Sequence, residues 1–447
     1  MSRRPGTPRL LRQLNDRAAL ELLLSVGPLT RAELGERTGL SKVTAGQLLS
    51  RLEERDLVTV VGEQAGGRGP NAALYAVVPS CAYVVGLDVL PDRISAGVAD
   101  ITGEIVAEVA VDPSGHDDPV RLVRSAVRKV CESAGVGADR LRAFVIGTRG
   151  VVDPGTGDVR FSFDLPSWHA GVLAQLRHDL DIPVTIENDV NLAALAERSH
   201  GAARGVDDFV LVWAGVGQGL GVMLGGRLHR GFTGGAGEIG WLPVPGEPLP
   251  TEVNEPQSGS FQRLVGGDAV AGLARAHGIV PALTAAAVPA APVPVSAPAA
   301  PVPAASAAGG AGGVPPVSAG GAEAGASGEA GGGLAAAPVT GTGSVGDYVS
   351  AAVAEGADAF LDELAGRLAV GVAAVAVVLD PGLIVLSGDV GRAGGEALAV
   401  RVQEAVARVC PSQPRVVVTR VRGNPVLRGA LVSALEQARE QVFSDTV

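Results

Sequence analysis

Residues 281–343 are almost wholly Ala, Pro, Gly, Val, Ser and Thr, and only Glu323 and Glu329 among them carry charge. Such a run has few large side chains to bury, and its Pro and Gly oppose both helix and sheet. It is expected to be a disordered insertion. Every core must therefore come from the two stretches that flank it. A chain of 447 residues calls for two or three domains. Its hydrophobic share of 47% is ample for them, but aromatics make up only 3%, so the cores must be mostly Val, Leu and Ala. No run of about 18 apolar residues escapes a charge or a Gly/Pro interruption, so no membrane span is expected. The basic start Met1-Ser2-Arg3-Arg4-Pro5 has no apolar segment behind it, which argues against a secretory signal. Cys81, Cys131 and Cys410 form an odd, scattered set. That pattern fits reduced thiols in a cytoplasm, and neither a disulfide framework nor a Cys-rich zinc site.

The first 80 residues are organised differently from the rest. Residues 1–12 read as a loose basic arm. Asn15 to Val26 carries Ala and Leu at helical spacing and stops at Gly27-Pro28. Thr30-Arg31-Ala32-Glu33 has the form of a capping box opening a short helix that ends at Gly39. Ser41 caps a third helix with Val43, Leu48, Leu49 and Leu52 on its apolar side. Leu57 to Val61 and Ala73 to Val78 are strand-like, joined by the turn Gly66-Gly67-Arg68-Gly69-Pro70. Three helices and a hairpin in this order make a winged helix-turn-helix over 13–80. The pattern then changes to α/β. A meander of three strands runs from Tyr83 to Val111, and helices then alternate with strands from Pro119 to Leu224. After the insertion a helix is expected over Asp347–Val370, continuing to Leu379, then the strand Leu383–Ser387. A helix over Ala397–Arg408, the strand Arg415–Thr419 and a terminal helix follow.

Charge follows the same division. Residues 1–80 hold 11 basic and 8 acidic side chains, and the remainder 25 and 39. A basic head on an acidic body suits a DNA-binding module joined to a sensor. In a recognition helix the N-terminal residues meet base edges, which singles out Ser41, Lys42, Thr44 and Gln47, with Arg51 further along. Gln can pair with adenine, Thr can touch a thymine methyl, and Lys42 can reach a phosphate or guanine. Arg68, flanked by glycines at the wing tip, suits a narrow minor groove.

From Tyr83 onward the chain carries Ile186-Glu187-Asn188-Asp189-Val190-Asn191-Leu192-Ala193 and Gly234-Gly235-Ala236-Gly237-Glu238-Ile239-Gly240. It also carries the run Gly215-Val216-Gly217-Gln218-Gly219 and the segment Leu165-Pro166-Ser167-Trp168. Together, behind a winged helix, these resemble the ROK family of bacterial repressors and sugar kinases. The resemblance implies a two-lobed, actin-like ATPase or sugar-kinase-type (ribonuclease-H-like) domain over 81–280 and 344–447. It makes Asp189 the match for the general base acting on a sugar hydroxyl, and Asn188 and Glu238 matches for hydroxyl-binding residues. On the residues alone, Asn188-Asp189 also suit a helix N-cap, and Glu238 a solvated turn. The chain departs from the family's kinases at three places. Leu90-Pro91-Asp92 stand where the first phosphate loop has glycines, and Trp213-Ala214-Gly215 where the second has Gly-Thr-Gly. Trp241 stands in the position of a zinc-binding His, and the loop around Asn254 to Gln262 lacks cysteine. The Glu that ends that loop aligns with Gln262.

These features lead to an α/β chain that is a DNA-binding repressor, controlled by a sugar or sugar derivative in a degenerate kinase-like domain. Asp189 would then be a vestigial base, and no cofactor or metal is expected. The partners are a double-stranded operator and a sugar-like effector, with no membrane, in a homodimer or homotetramer. The alternatives are an active ATP-dependent sugar kinase with a DNA-binding head, and a regulator that binds DNA independently of ligand.

Overall fold

The structure, a computed structural model, describes residues 8–65, 71–115, 118–161, 171–180, 182–251, 259–281 and 344–444. The insertion expected over 281–343 lies, apart from its first residue, outside them. The chain begins with helix α1 (Pro8–Val26), strand β1 (Leu29–Thr30), α2 (Arg31–Thr38), α3 (Lys42–Glu54) and the wing strands β2 (Val58–Gln64) and β3 (Ala72–Val77). The strands pair antiparallel in the order β1-β3-β2. The capping box forms as its sequence demands: Thr30 Oγ1 accepts from Glu33 N at 3.2 Å, and Glu33 Oε2 accepts from Thr30 N at 2.8 Å. The loose arm expected over 1–12 is corrected in part, because α1 starts at Pro8. Proline's fixed φ suits the first helical turn, where its missing N–H costs nothing.

Two lobes with the same topology follow. The first contains β4 (Tyr83–Val89), β5 (Ile94–Asp100), β6 (Ile105–Val111), α4 (Pro119–Ala134), β7 (Leu141–Thr148), β8 (Val151–Val152), β9 (Val159–Phe161), α5 (Val172–Leu180), β10 (Val184–Asn188) and α6 (Asp189–His200). The second contains β11 (Phe209–Ala214), β12 (Gln218–Leu224), β13 (Arg227–Leu228), α7 (Phe261–Val265), α8 (Gly267–Ala276), α9 (Val345–Glu355), α10 (Asp358–Leu379), β14 (Leu383–Ser387), α11 (Gly388–Val409) and β15 (Arg415–Val418). The main sheets run β10-β7-β4-β5-β6 and β13-β12-β11-β14-β15. In each, the first three strands form an antiparallel meander, the fourth pairs parallel to the first, and the fifth pairs parallel to the fourth. Each central strand is buried on both faces, as its largely apolar run requires, with Asp88 the one charged residue inside β4. Two helix expectations are corrected. The helix expected from Asp347 breaks at Gly356, whose φ of 64° ends α9 in the left-handed region before α10 begins. The helix expected from Ala397 begins nine residues earlier, at Gly388, and is interrupted at Gly395, φ 55°.

A last helix, α12 (Pro425–Ser444), returns to the first lobe and packs on β4, β7 and α6. Gly429 makes this possible, since a Cβ there would sit 1.8 Å from the Leu192 carbonyl oxygen. Leu427, Leu431, Leu435 and Phe443 of α12 belong to one apolar core with Val84 and Val145 of the sheet and with Leu20, Leu23, Leu48 and Leu52 of the winged helix. The head and the first lobe are thus packed together through α12. Two polar contacts complete the seam: Arg17 of α1 pairs with Glu440 at 2.7 Å, and Gln13 Nε2 donates to the Ser444 carbonyl at 3.0 Å. Among the described residues no helix is long and apolar enough to cross a membrane.

Candidate ligand cleft and nucleic-acid interface

Both sheets aim their strand ends at one cavity of about 390 Å³, the usual place for a ligand in an open α/β sheet. The end of β10 and the start of α6 supply Asn188 and Asp189, and the loop after β13 supplies Glu238. The fold therefore brings all three sequence-selected residues to one cavity wall. Gly237 lets the Glu238 loop come close: its φ is 99°, and a Cβ would lie 2.0 Å from the Leu220 carbonyl oxygen. Glu187, which the motif quoted but no role claimed, holds the corner together. Its Oε1 accepts from Asn188 N at 3.0 Å and Asn191 Nδ2 at 2.9 Å, and its Oε2 accepts from Arg230 Nε at 2.6 Å. The buried carboxylate thereby fastens α6 to the loop that carries Glu238.

The three residues differ in what they leave free. Asn188 Oδ1 caps α6 by accepting from Asn191 N at 3.1 Å, and its Nδ2 donates to the Gly150 carbonyl at 3.0 Å. The cap is real, and it ties up both ends of that amide. Asp189 opens on the cavity with its carboxyl pushed up to about 7. Burial is the main cause, the nearby Asp88 carboxylate adds to it, and Arg149 opposes it. Burial also pushes Glu238 up. Arg149, Trp213, Trp241, Gln262 and Asp389 line the same cavity. Of these, Arg149 and Asp389 had no signal in the sequence, because each is polar in a short loop or a first helical turn.

The segments matching the two phosphate loops occupy equivalent places, at the hairpin between the first two strands of each sheet. After β4 the turn is tight: Leu90 N donates to the Arg93 carbonyl at 2.9 Å, Arg93 N returns a bond to the Leu90 carbonyl at 3.4 Å, and Pro91 has no N–H. Asp88, buried just before it, accepts at Oδ2 from Asn424 Nδ2 at 2.7 Å, while Asn424 Oδ1 caps α12. Asp88 Oδ1 is buried and, among the described residues, finds no partner; burial pushes this carboxyl up as well. After β11, Gln262 holds the Gly-rich loop: its Oε1 accepts from Gln218 N at 3.0 Å and its Nε2 donates to the Val216 carbonyl at 2.7 Å. No group of His, Cys, Asp and Glu among the described residues is arranged to hold a metal. Leu165–Trp168 and Asn254 lie outside those residues.

In the head, Lys42 and Gln47 are exposed on α3. Ser41 Oγ caps the helix by accepting from Thr44 N at 3.2 Å and also bonds Thr44 Oγ1 at 2.9 Å, so these two hydroxyls serve each other. Arg51 is turned inward, its guanidinium 2.5 Å from buried Asp16 of α1. The expected apolar side of α3 is corrected at Val43, which is 70% exposed. Arg31 was not singled out; it lies across Gly46, where an added Cβ would be 3.4 Å from its Cδ. Arg68 lies outside the described residues.

Residues 84–269 match the family model described as ROK family, and residues 13–69 match that of the MarR family. The chain carries a ROK domain behind a MarR-type winged helix. A xylose repressor of Caldicellulosiruptor bescii is 26% identical over 240 residues, which cover 53% of this chain and 60% of that protein. The DNA-binding transcriptional dual regulator NagC of Escherichia coli K12 is 25% identical over 246 residues, 55% of this chain and 60% of NagC. The matched stretch thus spans about three-fifths of the length of these curated relatives. Among solved structures, a ROK family transcriptional regulator described as a homologue of the E. coli MLC protein superposes with a TM-score of 0.68. It is 17% identical and covers 97% of this chain and 99% of its own. A ROK family glucokinase from Streptomyces griseus gives 0.56 at 23% identity, over 79% of this chain and 100% of its own. At those identities the ROK structures speak to the fold, which repressors and kinases share.

Proposed function

We propose that this chain is a DNA-binding transcriptional repressor whose grip on its operator is set by a sugar or sugar derivative in the ROK cleft. The single observation that carries this reading is the continuous core through α12. One end of α12 is capped by Asn424, which also bonds Asp88 beside the cleft base Asp189. The other end, about 30 Å away along its 20 residues, is fixed to α1 of the head. A ligand that moves the cleft must then move the head or strain that core. It alters DNA affinity to the extent that it binds one arrangement better than the other. The named relatives, a xylose repressor and NagC, support the same reading. Two heads on a palindromic operator would need a homodimer or homotetramer in the cytoplasm.

Phosphate transfer is disfavoured by how the hairpin amides are spent. The Leu90–Arg93 turn uses internally two N–H groups of the first hairpin, where Pro91 offers none, and Gln262 takes the Gln218 N–H at the end of the second loop. A second reading rests on Asp189, whose position near neutral pH suits a general base, and it makes the chain an ATP-dependent sugar kinase.

Fluorescence anisotropy with the DNA upstream of the gene, combined with thermal shift against free and phosphorylated sugars, tests the proposal. Specific binding at moderate salt, altered at least about tenfold by a sugar that also raises Tm, is expected. Binding with no ligand response would leave a ligand-independent regulator. Sugar-dependent ATP consumption that Asp189→Asn abolishes would establish the kinase in its place.

A further inference from the structure

Among the described residues, Val43 is the large apolar side chain that the head leaves most open, 70% exposed at the second position of α3. Its helical neighbours account for the other core-forming positions: Ala45, Leu48, Leu49 and Leu52 are buried beneath the helix. Val43 points the opposite way, onto the face that also carries Gln47 and Ser50, one and two turns on. These residues line one shallow groove with Lys42, Arg31 and Gly46. The groove is completed by Arg51 and, at its far end, Glu54, and an isolated valine among polar and charged side chains is no patch for an apolar protein partner. Its flanking Arg31 and Lys42 supply positive charge to a groove whose centre, at Gly46, has no side chain to hold a surface away.

The hydroxyls that sequence spacing favoured as base readers, Ser41 and Thr44, are bonded to each other, and Arg51 is committed to Asp16. Val43 and Gln47 stand exposed beside Lys42 at the leading end of the face, and Val43 is the side chain there with no polar atom at all. Their chemistry matches the two halves of one kind of base pair. A glutamine amide fits the N6 donor and N7 acceptor of adenine, and branched methyl groups fit the thymine 5-methyl group. We infer that Val43 and Gln47 together read A·T pairs in the major groove of duplex DNA, with Val43 seated on a thymine methyl. The inference rests on the DNA-binding reading above and specifies how that surface chooses sequence.

The probe is thymine itself, since uracil is the same base without the methyl. Duplexes enriched from a randomised pool by the full chain would be remade with each thymine singly replaced by uracil and titrated by anisotropy. One thymine in each half-site is expected to stand out. Its replacement should weaken binding by about fourfold, the worth of one buried methyl group. Val43→Ala should shrink that ratio to less than about twofold at that position only, with circular dichroism and the sugar-induced Tm shift unchanged. Gln47→Ala should relax the choice of adenine and leave the uracil effect in place. Enriched sites with no methyl-sensitive thymine, or a uracil effect that survives in Val43→Ala, would overturn the inference while leaving DNA binding intact. Failure to enrich any sequence would remove both.

Discussion

Asp16 in the head is fully buried and Asp189 in the cleft is half-buried beside a cavity, and they face opposite company. Asp16 meets the Arg51 guanidinium at 2.5 Å, and that cation opposes the upward push of burial on its carboxyl. Asp189 meets Asp88 and Glu238, whose like charges add to burial, with Arg149 in opposition. A buried carboxylate beside a cation joins two helices and stays fixed. One beside other carboxylates is held near its titration midpoint, able to gain or lose a proton or to accept a hydroxyl at small cost. The same residue type thus fastens two helices in one place and lines an open cavity in the other, and the neighbours decide which way its charge is driven.

The contrast is sharpest in what breaking each site should do. Asp16→Ala strands a guanidinium whose Nε already has no partner among the described residues. It should cost about 3–4 kcal/mol, near the lower end for a buried pair because Arg51 keeps some exposure. Hydrogen exchange of the head would read the loss. Asp16→Leu with Arg51→Met should recover most of it, and a cost below about 1 kcal/mol for Asp16→Ala would erase the distinction.

Asp189 should behave in the opposite sense. Its folded pKa of about 7 lies above the ordinary carboxylate value, so the folded state binds the proton more tightly than the unfolded state. The stability from that proton is present at low pH and is lost as pH rises from about 4 to 7. Asp189→Asn should flatten this slope. Above neutrality it should make the ligand-free protein more stable by roughly 2–3 kcal/mol, with some allowance for water in the cavity. Melting curves across that range decide it; an unchanged slope would mean that Asp189 is ordinarily charged.

Smaller effects probe the neighbours. Asp88→Asn removes one like charge yet keeps an oxygen for Asn424. The Asp189 midpoint should fall below 7, as followed by the pH dependence of fluorescence from Trp213 and Trp241 on the cavity wall. Arg230→Gln should release the Glu238 loop from Glu187. It should lower sugar affinity severalfold at a stability cost of about 1 kcal/mol, because Arg230 is partly exposed. Arg17→Ala breaks an exposed pair with Glu440 and should change stability by no more than about 0.5 kcal/mol. Its informative readout is the ratio of DNA affinities with and without sugar, which should fall if the α1–α12 seam carries the signal.

Much of the molecule is legible in its sequence. Thr30 and Glu33 named a helix start, and the apolar runs named the central strands, because caps and periodicity are set by residues three or four apart. Asn188 and Asp189, at the end of an apolar strand, were placed at its mouth for the same reason. Glu187 was visible but mute, since Arg230 lies 43 residues away. The Asp88–Asn424 bond spans 336 positions, and nothing in either neighbourhood announces it. Val43 lies five, six and nine residues before Leu48, Leu49 and Leu52, offsets that at 3.6 residues per turn put it across α3 from them, so its outward side follows from helical periodicity itself.

The sequence by itself determined the elements, their order and the residue types delivered to the strand ends, because hydrogen bonding and burial within one element depend on near neighbours. Local caps already spend Ser41, Thr44 and the Asn188 oxygen, and tertiary structure alone decided which of the remaining polar groups are spent on distant partners. Ser41, Thr44, Asn188, Gln262 and Arg51 are all committed to partners inside the chain. A side chain's free valence depends on what approaches it in space. For Asp189 and Glu238, the long-range packing of the lobes leaves the surface open.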